Sequence, residues 1–149
     1  MSDFIDLKLQ YLGIEIIERS IVTPENMTEI PATFNFKINV KVQVDTNELT
    51  VIPLVSVVIS DQPGGTEFGK IIVKNIIKVS NLNDLLVNEN KENPLNEKVL
   101  KLLSETAIST TRGVMWDSFR GTFLHGAILP IIDPDGGAVI KGSLKNSNL

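Results

Sequence analysis

From Leu7 onward, apolar residues fall on every second position: Leu7, Leu9 and Tyr11 alternate with Asp6, Lys8 and Gln10. That is the period of a half-buried strand. The phase then slips, because Leu12, Ile14 and Ile16 continue the apolar set on the other parity, with Gly13 at the slip. A bulge or sharp twist there restores the face. From Arg19 to Thr33 two prolines and no sustained period predict a long connection. The clearest element follows. Phe34, Phe36, Ile38, Val40, Val42 and Val44 oppose Asn35, Lys37, Asn39, Lys41, Gln43 and Asp45, the alternation of a strand with one wet face.

After a turn at Asp45–Glu48, "LTVIPLVSVVIS" is apolar on both parities: Val51, Val55, Val57 and Ile59 on one, Ile52, Leu54 and Val58 on the other. Pro53 cannot donate to a ladder and belongs near a strand start or on an edge. "DQPGG" marks a second turn, and "GKIIVKNIIKVS" is a fourth strand, with Ile71, Val73, Ile77 and Val79 against Ile72, Lys74, Ile76 and Lys78. Short turns between these strands predict an antiparallel sheet. An Asn-rich loop leads to a helix starting between Pro94 and Glu97, capped by Asn93 or Asn96, and ending near Arg120, where Gly121 offers a stop. Val99, Leu102, Leu103, Thr106, Ala107, Thr110 and Val114 recur at helical spacing. The fold class expected is therefore α+β: a four-stranded antiparallel sheet, its first strand reached by a crossover, packed with one long C-terminal helix in a single domain over 1–149.

The middle of the helical face is small, at Ala107, Thr110 and Gly113. Small faces let another backbone approach closely. One helix covers only part of a four-stranded sheet, yet two strands are apolar on both sides, and monomers rarely leave large apolar patches open. Self-association or a dedicated binding surface is expected, with Ala107, Thr110, Gly113 and Val114 as the oligomer interface.

Composition narrows the function classes. A formal net charge of -4 supplies no basic footprint for nucleic acid. The absence of Cys removes thiolate nucleophiles, thiolate metal sites and disulfides. The acidic start "MSDFIDLKLQ" does not resemble a signal peptide, and no run approaches the roughly 18 to 20 apolar residues of a membrane helix. A cytoplasmic protein without membrane insertion is expected.

Rare residues crowd into "STTRGVMWDSFRGTFLHGAILPIIDPDGG": the single His, the single Trp and both Arg112 and Arg120. A catalytic His125 needs a nucleophile, acid or metal beside it, and no nucleophile motif surrounds it. Arg112 and Arg120 suit a helix end or an ion pair better than a phosphate clamp. Trp116 and Phe119 suit core or interface packing. Asp133 and Asp135 lack the alternating ligands of a calcium loop. No enzyme, no metal and no cofactor are expected.

The order of crossover strand, three meandering strands and long helix, followed by "RGTF" at Arg120–Phe123 and "ILP" at Ile128–Pro130, resembles the SecB family of export chaperones, and "ETAIST" on the helix adds to it. "STTRGVMWDSFRGT" is similar to the divergent SecB-like branch. The resemblance implies an ATP-independent holdase for unfolded polypeptides, built as a dimer of dimers, with the export translocase motor as a further partner. It leaves a chaperone serving the antitoxin of a toxin–antitoxin pair as an alternative. A carrier of a small apolar ligand is the alternative from another class. Under the chaperone reading the peptide-binding residues expected are Val22, Met27 and Ile30 in the connection, with Phe119, Phe123 and Leu124 after the helix. After Pro130 the chain is Gly-rich and polar where SecB carries a second, lid-like helix.

Overall fold

The computed structural model describes residues 6–23, 25, 33–87, 94–130 and, as backbone, 138–144. Its strands are β1 (Leu9–Ile21), β2 (Asn35–Asp45), β3 (Thr50–Ser60), β4 (Glu67–Val79) and β5 (Ala138–Leu144), and its helix is α1 (Glu97–Ser118). They form one sheet in the order β1-β4-β3-β2-β5. The first four pair antiparallel, as the short turns predict.

Alternation decides which face is covered. Val40, Val42, Val44, Val51, Val55, Val57, Ile71, Val73, Ile77 and Val79 are all fully buried on the side facing α1. Each contributes on the order of 1.5–3 kcal/mol by leaving water. The β2–β3 turn is held by the Asp45 carboxylate, which accepts from the backbone N–H of Asn47 and Glu48 at 3.1 and 3.2 Å. Such local acceptance is what favours Asp at turns.

Pro53 stands fourth in β3, in the middle of the sheet, and pairs in register with Val42 on the β2 side. On the β4 side the register runs from Val51↔Ile77 directly to Leu54↔Lys74. Asn75, fully buried, fills that gap: its Nδ2 donates to the Pro53 carbonyl at 3.3 Å. A buried amide is stable only with such partners.

β1 runs on through Ile21, so it takes the first residues of the predicted connection. Its bulge occurs where the parity slips, with Leu12 extra between Tyr11 and Gly13. A second bulge puts Ile17 out of register between Ile16 and Glu18. The C-terminal stretch holds a fifth strand that the alternation did not predict, and β5 lies parallel to β2 from Ile38↔Ala138 to Val44↔Leu144.

Helix α1 begins at its Asn96 cap, whose side chain accepts from the Lys98 N–H at 2.9 Å. Beyond its end Gly121 takes φ +81°, the left-handed geometry that glycine adopts without strain. Its buried stripe is Val99, Leu103, Ser104, Ala107, Ile108, Thr111 and Met115. Compared with the predicted face, the helix is rolled: Leu102 is exposed, while Thr106, Thr110 and Val114 stand at the margin. It packs on β3, β4 and β2, and β1 extends past its cover.

After the helix, "RGTFLHG" folds back onto the sheet. Thr122 Oγ1 donates to the Phe119 carbonyl at 2.7 Å and accepts from the Leu124 N–H at 3.2 Å, starting one 3-10 turn over Phe123–Gly126. Phe34, Phe68 and Phe123 meet edge-to-face, with centroids 6.2 and 5.7 Å apart, a favoured aromatic geometry. Leu124 presses on Gly69, where an added Cβ would lie 2.6 Å from Leu124 Cδ1 and 2.9 Å from the Ser20 carbonyl oxygen. Glycine is required there by close approach.

Candidate functional site

Because β1 projects beyond α1, its side chains are open on both faces. Leu9, Tyr11, Leu12, Ile14, Ile16 and Ile17 are 37–54% exposed. Tyr11, Ile14 and Ile16 pair in register with the inward positions Ile77, Asn75 and Val73 of β4, so they look toward the helix side. Between them and α1 runs an open cleft of about 620 Å³, lined by Ile16, Arg19, Thr110, Gly113, Val114 and Ser118 among others.

Two polar ties hold its walls apart at a fixed width. Tyr11 Oη is 3.1 Å from Thr110 Oγ1, and it donates to Asn75 Oδ1 at 3.3 Å. Farther along, Arg19 donates to the Ser118 carbonyl at 2.6 Å while its guanidinium carbon sits 5.6 Å from the Phe119 ring centroid. The last carbonyls of a helix have no partner within it, so a cation there is doubly favourable.

On the other flank of α1 lies a second groove, of about 360 Å³, lined by Ser109, Arg112, Gly113, Trp116, Ala127 and Ile128. Trp116 and Ile128 are 46% and 55% exposed. Arg112 fixes this wall: Nε donates to the Leu129 carbonyl at 2.5 Å and an η-nitrogen to that of Pro130 at 2.8 Å. It therefore ties the post-helix segment to the helix. The Trp116 ring rests over His125 with centroids 4.0 Å apart, and His125 Nε2 is buried with no hydrogen-bond partner among the described residues. No group of three or more His, Asp or Glu side chains among the described residues is arranged to hold a metal ion.

Gly113 borders both hollows, and nothing lies within 4 Å of where its Cβ would be. It is a notch through which one apolar track passes from β1 across the helix to Trp116 and Ile128. The track combines apolar side chains with backbone-sized clearance, and its charged residues, Arg19 and Asp117 in the cleft and Arg112 in the groove, stand beside hydroxyls and backbone with no His among its lining.

The sequence-derived site residues divide. Thr110, Gly113 and Val114 line the cleft, and Val22 is exposed just past β1. Phe123 is half-buried against Phe68. Met27 and Ile30 lie outside the described residues. Phe119 and Leu124, expected on a binding surface, are instead in the core at 0% exposure, one under the Arg19 guanidinium and the other against Gly69. Ala107, expected at an interface between copies, is also fully buried, on the stripe by which α1 packs on its own sheet. Trp116, Ile128 and the β1 isoleucines complete the track. The sequence-based expectation sets the apolar excess on the third and fourth strands; the apolar residues of β1 on both parities are the signal that points to its isoleucines, and Trp116 and Ile128 carry none beyond their residue type.

No protein-family model matches the chain, and no curated protein does. Among solved structures, it is similar to a SecB-like chaperone of Mycobacterium tuberculosis in complex with a ChAD peptide from the antitoxin HigA1. The TM-score is 0.55 with 12% identity, over 83% of this chain and 89% of that one. The fold is SecB-like. Within that SecB-like frame, the four antiparallel strands and the long helix are the predicted parts. Among the described residues no helix is long and apolar enough to cross a membrane.

Proposed function

We propose that this protein is an ATP-independent holdase that keeps client polypeptides unfolded by gripping their apolar side chains along the β1–α1 track. The observation that carries this reading is the SecB-like fold, shared with a chaperone that holds a peptide, combined with a track that is open, apolar and free of catalytic groupings. Open clefts favour a polypeptide over a small ligand, which an enclosed cavity would suit better. Each apolar contact contributes only about 1.5–3 kcal/mol on full burial, so affinity comes from several contacts along one chain. A dedicated client of the antitoxin kind is favoured over general export, because the similar chaperone is bound to an antitoxin peptide. The protein acts in the cytoplasm as one domain, without cofactor and without enzymatic turnover.

Its working form is a homo-oligomer, a dimer of dimers. An unpaired edge strand that is apolar on both faces invites pairing with another chain, and β1 is such a strand. Val22 just past β1 and Phe123 after the helix extend the client surface, and Met27 and Ile30 are proposed as further client-binding residues.

The test is suppression of aggregation of a chemically denatured test protein at stoichiometric ratio, with light scattering for particle size. Protection by wild type, lost in Ile16→Asp that still folds by circular dichroism, is expected. Absence of protection by wild type sinks the reading.

A further inference from the structure

The face of the sheet turned away from α1 has a different character. Its outward positions are Lys37, Asn39, Lys41 and Gln43 on β2, Ile52, Leu54, Ser56 and Val58 on β3, and Lys70, Ile72, Lys74, Ile76 and Lys78 on β4. No Asp or Glu stands among these positions of β2, β3 and β4; on the neighbouring edge strand Glu15 pairs in register with Lys74 and Glu18 with Ile72. Five of the chain's 14 Lys and Arg residues are here, although the chain as a whole carries a net charge of -4. Of the five lysines, only Lys70 has an anionic partner among the described residues, Glu18 at 3.8 Å across the β1–β4 edge.

Register arranges these residues into rows. Lys41 pairs with Leu54 and Leu54 with Lys74; Lys37 pairs with Val58 and Val58 with Lys70. Each row therefore puts an apolar β3 side chain between two ammonium groups whose strands are about 9.5 Å apart. Along β4 the order is Lys, Ile, Lys, Ile, Lys, so that cations recur every fourth residue, about 13 Å apart. The apolar residues of this face are half-buried, as happens where Lys stems lie along apolar neighbours. No described helix or strand packs over them. A groove of about 330 Å³ crosses the middle, lined by Asn39, Lys41, Leu54, Ser56, Lys70 and Ile72.

We infer that this outer face docks an extended acidic polypeptide segment, one whose upward face reads carboxylate, apolar, carboxylate at every second residue. Such a segment matches both periodicities: its carboxylates meet the lysines and its apolar residues meet Leu54, Ile72 and Ile76. Charge complementarity selects the partner's sign, and the interleaved apolar positions select a polypeptide over a bare polyanion. Nucleic acid fits less well, because this face has neither arginine nor aromatic side chains to stack on bases. This surface lies across the sheet from the client track and does not depend on it.

The experiment uses the full chain and a fluorescein-labelled nine-residue peptide with Glu at its first, fifth and ninth positions, Val at the third and seventh, and Ser elsewhere. Fluorescence anisotropy is expected to show binding that weakens at least tenfold in Lys41→Glu/Lys74→Glu and weakens with salt between about 50 and 300 mM, where screening lengths shrink. The neutral pair Lys41→Met/Lys74→Met, which keeps the apolar stems, is expected to lose affinity in the same direction with an unchanged melting temperature. Ile16→Asp leaves peptide binding intact, so failure of the holdase reading and failure of this one are separable. No binding by wild type, or equal binding by both lysine variants, overturns the inference. So does a single-stranded oligonucleotide or an anionic phosphatidylserine vesicle that binds as tightly as the peptide with the same variant sensitivity.

Discussion

The hydroxyl of Tyr11 lies 3.1 Å from Thr110 Oγ1, joining the edge strand to the helix across the cleft. The same hydroxyl donates to Asn75 Oδ1, whose residue is fully buried. Tyr11→Phe therefore removes a span and leaves a buried acceptor unpaired. A loss of about 1–3 kcal/mol in urea unfolding is expected. Combined with Thr110→Val in a double-mutant cycle, the two losses should be less than additive; strict additivity would mean the tie carries no energy.

Gly113 predicts two effects of opposite sign. A side chain there meets open space, and a helix-interior glycine costs about 0.5–1 kcal/mol relative to alanine. Gly113→Leu is expected to raise the melting temperature while filling the notch and weakening client protection. Calorimetry and aggregation assays on one sample check both, and a variant that gains stability with unchanged protection moves the client path elsewhere.

Phe119 and Trp116 should part company. Phe119→Ala removes a fully buried ring and is expected to cost about 3–5 kcal/mol. Trp116 is 46% exposed, so Trp116→Ala should cost less than about 1.5 kcal/mol and reduce client protection instead. Denaturant midpoints separate the two.

Gly69→Ala sets a Cβ against Leu124 Cδ1 and the Ser20 carbonyl. The leucine can rotate but the β1 backbone cannot, so overpacking is expected to cost about 1–3 kcal/mol. Leu124→Ala in the same chain should relieve the side-chain part, and a melting series on the three variants reads it.

The meander was legible because each of its strands has one dry face: Ile38 to Val44 and Ile71 to Val79 announce it by parity alone. The bulge at Leu12 was legible too, since Gly13 marks it. The bulge at Ile17 has no glycine and leaves no signature, as apolar residues flank it on both parities. The helix was found but its roll was not. Leu102 and Val114 are as apolar as Leu103 and Met115, and only the position of the sheet decides between the two stripes. Phe119 and Leu124 follow the same logic, because an aromatic or Leu after a helix serves a core as well as a surface. β5 escaped notice because "AVIKGSL" is seven residues with an interior glycine, too short for alternation to speak. Lys37 and Lys41 read as the wet side of their strand and Lys74 and Lys78 as part of a mixed face, and the alignment of these lysines into rows needs the register of three strands at once.

The pairing of β1 with β4 rather than β2 has a consequence for the order of events during synthesis. β1 leaves the ribosome first, yet its ladder partner is complete only at Val79. At about 5–20 residues per second, the nascent chain carries an unpaired, apolar strand for several seconds while β2, β3 and β4 form their local hairpins. Non-local pairings of this kind close late. A newborn copy thus displays, for that interval, an apolar strand whose edge and both faces are still uncovered, and the order of the sheet makes β1 the last of the four antiparallel strands to find its partner.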